Sequence, residues 1–142
     1  MATLIRNRRI VASWSPPSEA EALALRERGE VLLLEPHADL EAVTHRLPHV
    51  LRIEVSFPKF GDGRGYSIAR LLRERYGYRG ELRAVGEVVK DHLLYLESVG
   101  FDSFLLRDGE DAQDALQGFD AFSEAYQTSV ARPLPLFRRR AA

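Results

Sequence analysis

The run Ser56-Phe57-Pro58-Lys59-Phe60-Gly61-Asp62-Gly63-Arg64-Gly65-Tyr66-Ser67 sets three glycines within five residues, between a β-prone and a helix-prone segment. Glycines admit positive φ and close backbone approach, so successive N–H groups can converge on one point. The helix N-terminus that follows adds a partial positive charge. Lys59 and Arg64 bring full charges, and Tyr66 and Ser67 bring hydroxyls. A small oxyanion or phosphate fits this chemistry, which makes Lys59, Asp62, Gly63, Arg64, Gly65, Tyr66 and Ser67, with Arg83 as a neighbour, the candidate ligand-binding set. The spacing matches neither the phosphate loop nor the dinucleotide fingerprint. The same residues also suit a tight turn in which Asp62 pairs with Arg64 and Ser67 caps the helix.

Two carboxylates are candidates for acid/base work, Glu54 and Glu87, with Arg52 and Arg83 near them. The alternative is an internal salt-bridge network that supports a polar sheet face. His37, His45, His49 and His92 show no metal spacing, so no metal site is expected. Asp91 beside His92 reads as a helical polar pair, Tyr76, Tyr78 and Tyr95 read as packing residues, and no serine-hydrolase elbow is present.

These residues need elements to hold them. Leu4–Val11 reads as a hairpin around an Asn-centred turn, ended by Trp14 and Pro16-Pro17. Ser18-Glu19-Ala20-Glu21 is a capping box that starts a helix running to about Arg28. Strands are expected at Val31–Glu35, Val50–Phe57, Glu81–Val85 and Ser103–Arg107. Helices are expected at about Ala38–Leu47, Tyr66–Tyr76, Glu87–Val99 and Asp111–Gln127. Such βα repeats predict a mainly parallel sheet with right-handed crossovers.

Within Val50–Phe57, Leu51, Ile53, Val55 and Phe57 share one parity and Arg52, Glu54 and Ser56 the other. Glu81 and Arg83 alternate with Leu82 and Ala84 in the same way. A sheet covered on both faces would show near-continuous apolar strands, so helices are expected on one face. Arg52, Glu54, Glu81, Arg83 and Arg107 must then meet water, a partner chain or one another. We expect a partial-barrel-like or singly wound α/β fold with an N-terminal β-hairpin, the alternative being a flat doubly wound sandwich. A full eight-unit barrel needs about 250 residues, and the chain has 142.

That length suits a single α/β domain over residues 1–130, followed by a basic, Pro-containing tail over 131–142 expected to be flexible. A formal charge of -1 gives no global field for nucleic acid or an anionic membrane. The chain contains no cysteine, which excludes disulfides, thiolate metal sites and a cysteine nucleophile. No secretory signal and no spanning apolar run is visible, so a cytoplasmic protein is expected.

The run from Phe57 through Tyr66-Ser67-Ile68-Ala69-Arg70-Leu71-Leu72-Arg73 resembles the signature of the domain of unknown function 934 family of bacteria. Gly80-Glu81-Leu82-Arg83-Ala84-Val85-Gly86-Glu87-Val88, Asp91-His92-Leu93 and Gly100-Phe101-Asp102 are similar to it as well. The resemblance extends from the hairpin to the Phe122–Gln127 segment. Gly61 stands where the family more often has a small hydroxyl residue, and His92 where glutamine is usual. Membership implies a gene neighbourhood shared with assimilatory sulfite and sulfate reduction and the label of probable oxidoreductase, with no catalytic residue to carry over and no cofactor specified.

The leading expectation is an accessory or anion-binding protein of that pathway, with a small oxyanion, a phosphosulfate nucleotide or a sulfite reductase pathway protein at loop 57–67. One rival is a small oxidoreductase or other enzyme using Glu54 or Glu87. The other is a self-associating interaction scaffold, in keeping with an expected homo-oligomer, and no nucleic-acid or membrane partner is expected.

Overall fold

A computed structural model describes residues 2–59 and 63–120. The expected tail at 131–142, the domain boundary before it and the end of the 111–127 segment lie outside the described residues.

Strands β1 (Thr3–Arg6) and β2 (Arg9–Ile10) form the expected hairpin. Its turn residues Asn7 and Arg8 have φ of 54° and 65°, the pattern of a type I′ turn, whose twist matches that of the strands. Arg8 is held in this conformation by Glu97, to which its guanidinium donates two bonds of 2.9 and 2.7 Å. Helix α1 (Glu19–Glu27) starts at the capping box. The Ser18 hydroxyl accepts from the Glu21 amide at 3.1 Å, and the Glu21 carboxylate accepts from the Ser18 amide at 2.9 Å.

Then follow β3 (Val31–Leu34), α2 (Leu40–Val43), β4 (Arg52–Phe57), α3 (Arg64–Glu74), β5 (Glu81–Gly86), α4 (Leu93–Ser98), β6 (Ser103–Leu106) and α5 (Ala112–Leu116). Three helices are shorter than the spacing predicts. Helix α2 passes into a 3-10 turn over Thr44–His49 that contains Pro48, which lacks an N–H and disfavours helix in the residue before it. Helix α4 is entered through a 3-10 turn at Lys90–His92, preceded by Val89 in extended conformation. Helix α5 passes into a 3-10 turn at Gln117–Phe119.

The fold is mixed α/β, with one open six-stranded sheet in the order β2-β1-β6-β5-β4-β3. Strands β3 to β6 are parallel, each beside its predecessor; β1 pairs antiparallel with β6, and β2 pairs antiparallel with β1 at the edge. Ile5, Leu34, Ile53, Val55, Leu82, Ala84, Phe104 and Leu106 line one face and are buried with Leu72, Leu93 and Leu96 from the helices. This face is the core. Leu51, expected to share it, precedes β4 at a bend and is 67% exposed.

The opposite face carries the charged side chains of β4 and β5 beside Leu4, Val31, Leu33, Val85 and Leu105, and it is not left bare, contrary to the expectation of helices on one face alone. β2 and β3 lie at opposite edges of the sheet, so residues 11–30 must cross it. The helices after β3 occupy the apolar side, and the crossing runs over the polar one. Ala22 and Leu25 of α1 line the same cleft as Arg52 and Arg83 of the sheet, and Arg26 lies 3.9 Å from Glu54.

Candidate functional site

A cleft lies on each side of the sheet. The first, about 370 Å³, lies between α2 and α3 and is lined by Arg64, Ser67, Arg75, Asp39, Glu41 and Tyr76, among others. Its two arginines face two carboxylates, one of which accepts a 2.9 Å bond from the Tyr76 hydroxyl. Charge is balanced there.

The residues expected at the glycine-rich loop scatter around this point. Lys59 and Ser67 are exposed, and Asp62 lies outside the described residues. Neither described glycine of the loop uses left-handed backbone: Gly63 has φ of -85°, and Gly65 is helical. Gly65 serves close packing, since a Cβ there would lie 2.4 Å from the Phe57 ring. Tyr66 turns inward, with its ring centroid 5.3 Å from Phe57 and 4.9 Å from Tyr95. These two positions therefore pack the start of α3 against Phe57 of β4.

Arg83 belongs to the other side. Register sets Leu33, Glu54, Arg83, Ser103 and Arg6 in one row across β3, β4, β5, β6 and β1, with Arg52 and Glu81 paired in the next row. The Arg83 guanidinium donates to the Ser103 hydroxyl at 2.9 Å and to the Glu81 carboxylate at 2.7 Å, and it lies 3.8 Å from Glu54. Arg52 donates to Glu54 at 3.1 Å, and Arg6 lies 3.8 Å from Glu81. With Arg26 3.9 Å from Glu54, four arginines share these two glutamates.

Burial shapes the electrostatics of this network. The Arg83 side chain is 5% exposed, and burial pulls its guanidinium below the usual arginine value, against the opposing pull of Glu81 and Glu54. Arginine stays charged even so. Burial pushes the Glu81 carboxyl up, but Arg83, the Ser103 hydroxyl and Arg52 together outweigh it and hold the group below its ordinary value. Both remain ionised at neutral pH.

Above this network lies the second cleft, about 590 Å³, roofed by residues 11–17 and α1. Among the described residues its lining includes Arg6, Arg26, Arg52 and Arg83 against one carboxylate, that of Glu54, together with Trp14. Trp14, Arg26 and Arg6 were not among the residues singled out from the sequence. Local pattern reports that α1 exists but not which sheet face it crosses. The one available signal was the extended Trp14-Ser15-Pro16-Pro17 stretch that separates the hairpin from α1.

Glu54 and Glu87 do not come together. Glu54 sits inside the arginine network, while Glu87 lies past β5 and pairs with Arg107 at 3.2 Å. Arg107, expected with the other sheet charges, is engaged by Glu87 and Glu110 beyond β6. No group of three or more His, Asp or Glu side chains that could hold a metal is found among the described residues. No helix among them is long and apolar enough to cross a membrane.

An open, mostly parallel α/β sheet defines the fold class. The family model of the bacterial proteins of unknown function DUF934 matches residues 31–137, and the chain belongs to that family. No curated protein and no solved structure matches it.

Proposed function

We propose that the protein is an anion-binding accessory protein, its ligand held by the arginines of the polar sheet face. The reading rests on one observation: among the described residues the larger cleft presents four arginines against a single carboxylate. The network below it holds two more positive than negative charges. Arginine forks suit planar or tetrahedral oxyanions, and a partly water-excluded cleft strengthens each such contact. The sulfite- and sulfate-reduction setting implied by the sequence resemblance makes sulfite and sulfate the first anions to try. Glycine-rich loop 57–67 is a weaker place for this ligand, because Asp39 and Glu41 offset Arg64 and Arg75 in the cleft beside it.

The test is a thermal-shift titration with sulfite, sulfate and phosphate at fixed ionic strength, since a ligand selective for the folded state raises the melting temperature by mass action. Arg52→Gln should weaken a saturable shift that Arg64→Ala leaves intact. The opposite pattern would return the ligand to the loop. No shift with any of the three anions would remove the reading and favour a protein partner.

A further inference from the structure

The cleft over the sheet has a second chemical half that a small inorganic anion does not use. Side chains on this face alternate by rows, and the rows differ in kind. Those at the start of the parallel strands carry Arg52 and Glu81, then Glu54, Arg83 and Arg6. Two residues further along the strands, β5 presents Val85, registered with Ser56 of β4, and β6 presents Leu105, registered with Leu4 of β1. Those four residues line the same cleft as the arginines. The floor is therefore cationic at one end and largely apolar at the other.

The roof adds an aromatic ring. Trp14 lies in the segment that crosses from β2 to α1, is half-buried and lines the cleft. At about 590 Å³ the space lies within the range of roughly 300–1,000 Å³ usual for small-molecule sites. A sulfate or phosphate ion would leave most of it filled with water against leucine and valine.

We propose that the cleft takes an organic anion bearing a flat aromatic ring, of about mononucleotide size. Its acidic group lies on Arg52 and the arginines beside it, and its ring lies between Trp14 and the Val85–Leu105 floor. Stacking on tryptophan and apolar burial reward the ring, while the arginines reward the charge. The proposal rests on the anion-binding reading above and adds the chemistry of the rest of the ligand.

Trp14 is the only tryptophan in the chain, so its fluorescence reports on the cleft without labelling. The full chain is titrated with AMP, phenyl phosphate, inorganic phosphate and decanoate, with calorimetry as a second readout. The expected result is saturable quenching by AMP or phenyl phosphate, with affinity at least tenfold above that of phosphate. By calorimetry, Trp14→Leu should lower that affinity to the level of phosphate and leave phosphate binding unchanged, whereas Arg52→Gln should weaken both. Equal affinity for phosphate and both ring-bearing anions would overturn this inference and leave anion binding standing. Decanoate binding as tightly as the better ring-bearing anion would overturn the aromatic assignment. No binding of any probe would overturn both readings.

Discussion

Arg73 offers the sharpest test of how this fold is held together. Its guanidinium donates to the backbone carbonyls of Gly100, Tyr78 and Gly80, each at 2.9 Å. These carbonyls belong to the loops before β5 and β6, so one side chain on α3 clamps two strand entries. The side chain is 22% exposed, and a fourth contact reaches Asp102 at 3.6 Å. Hydrogen bonds to a charged group contribute about 1.5–3 kcal/mol each when buried. With partial exposure taken into account, the three together contribute about 3 kcal/mol. Arg73→Met keeps the apolar stem and removes the donors, leaving three carbonyls short of a partner. At a slope of about 1–3 kcal/mol/M in urea, the unfolding midpoint should fall by about 1–3 M with the slope unchanged. Arg73→Lys, with a single nitrogen to share among diverging carbonyls, should recover less than half of the loss. A loss under about 0.5 kcal/mol in Arg73→Met, the level of an ordinary surface change, would refute the clamp.

Gly65→Ala would place a Cβ 2.4 Å from the Phe57 ring. That ring is fixed by Tyr66 and Phe101, so the variant should lose about 2–3 kcal/mol of stability, and Phe57→Leu added to it should restore part, both read by urea denaturation. The Glu81 carboxyl is held below its ordinary value in the folded protein. Its contribution to stability is therefore complete above the unfolded-state value near 4.5 and is lost as pH falls through the lower folded value. Glu81→Gln should be less stable than the parent at pH 7 and should flatten the fall in stability below about pH 4.5; an unchanged acid limb would show that Glu81 is not coupled to Arg83.

Much of this architecture was legible along the chain. The capping box at Ser18–Glu21, the alternation in β4 and β5, and the recurring strand–helix unit are local signals, because capping and period-two burial act between residues close in sequence. They located the helices and strands, their parallel pairing and the polar face of the sheet. The glycine-rich loop was equally visible, but local pattern could not tell glycines that admit positive φ from one that makes room for a ring. Gly65 is the second kind, and only the approach of Phe57 from β4 shows it.

The candidate site depended on the tertiary structure. Arg83 was in view from the start, yet the charge network around it is drawn from five segments: Glu81 beside it, Glu54 and Arg52 on β4, Ser103 on β6, Arg6 on β1 and Arg26 on α1. Pairing register brings the first five within reach, and no spacing in the sequence encodes register between strands that lie tens of residues apart. Trp14 and Arg26 join them because β2 and β3 occupy opposite edges, which forces the intervening segment across the one face the other helices leave open. Short-range propensities decide which elements form, whereas strand order decides which side chains share a cleft, since it is set by how the whole set of apolar faces can be buried at once.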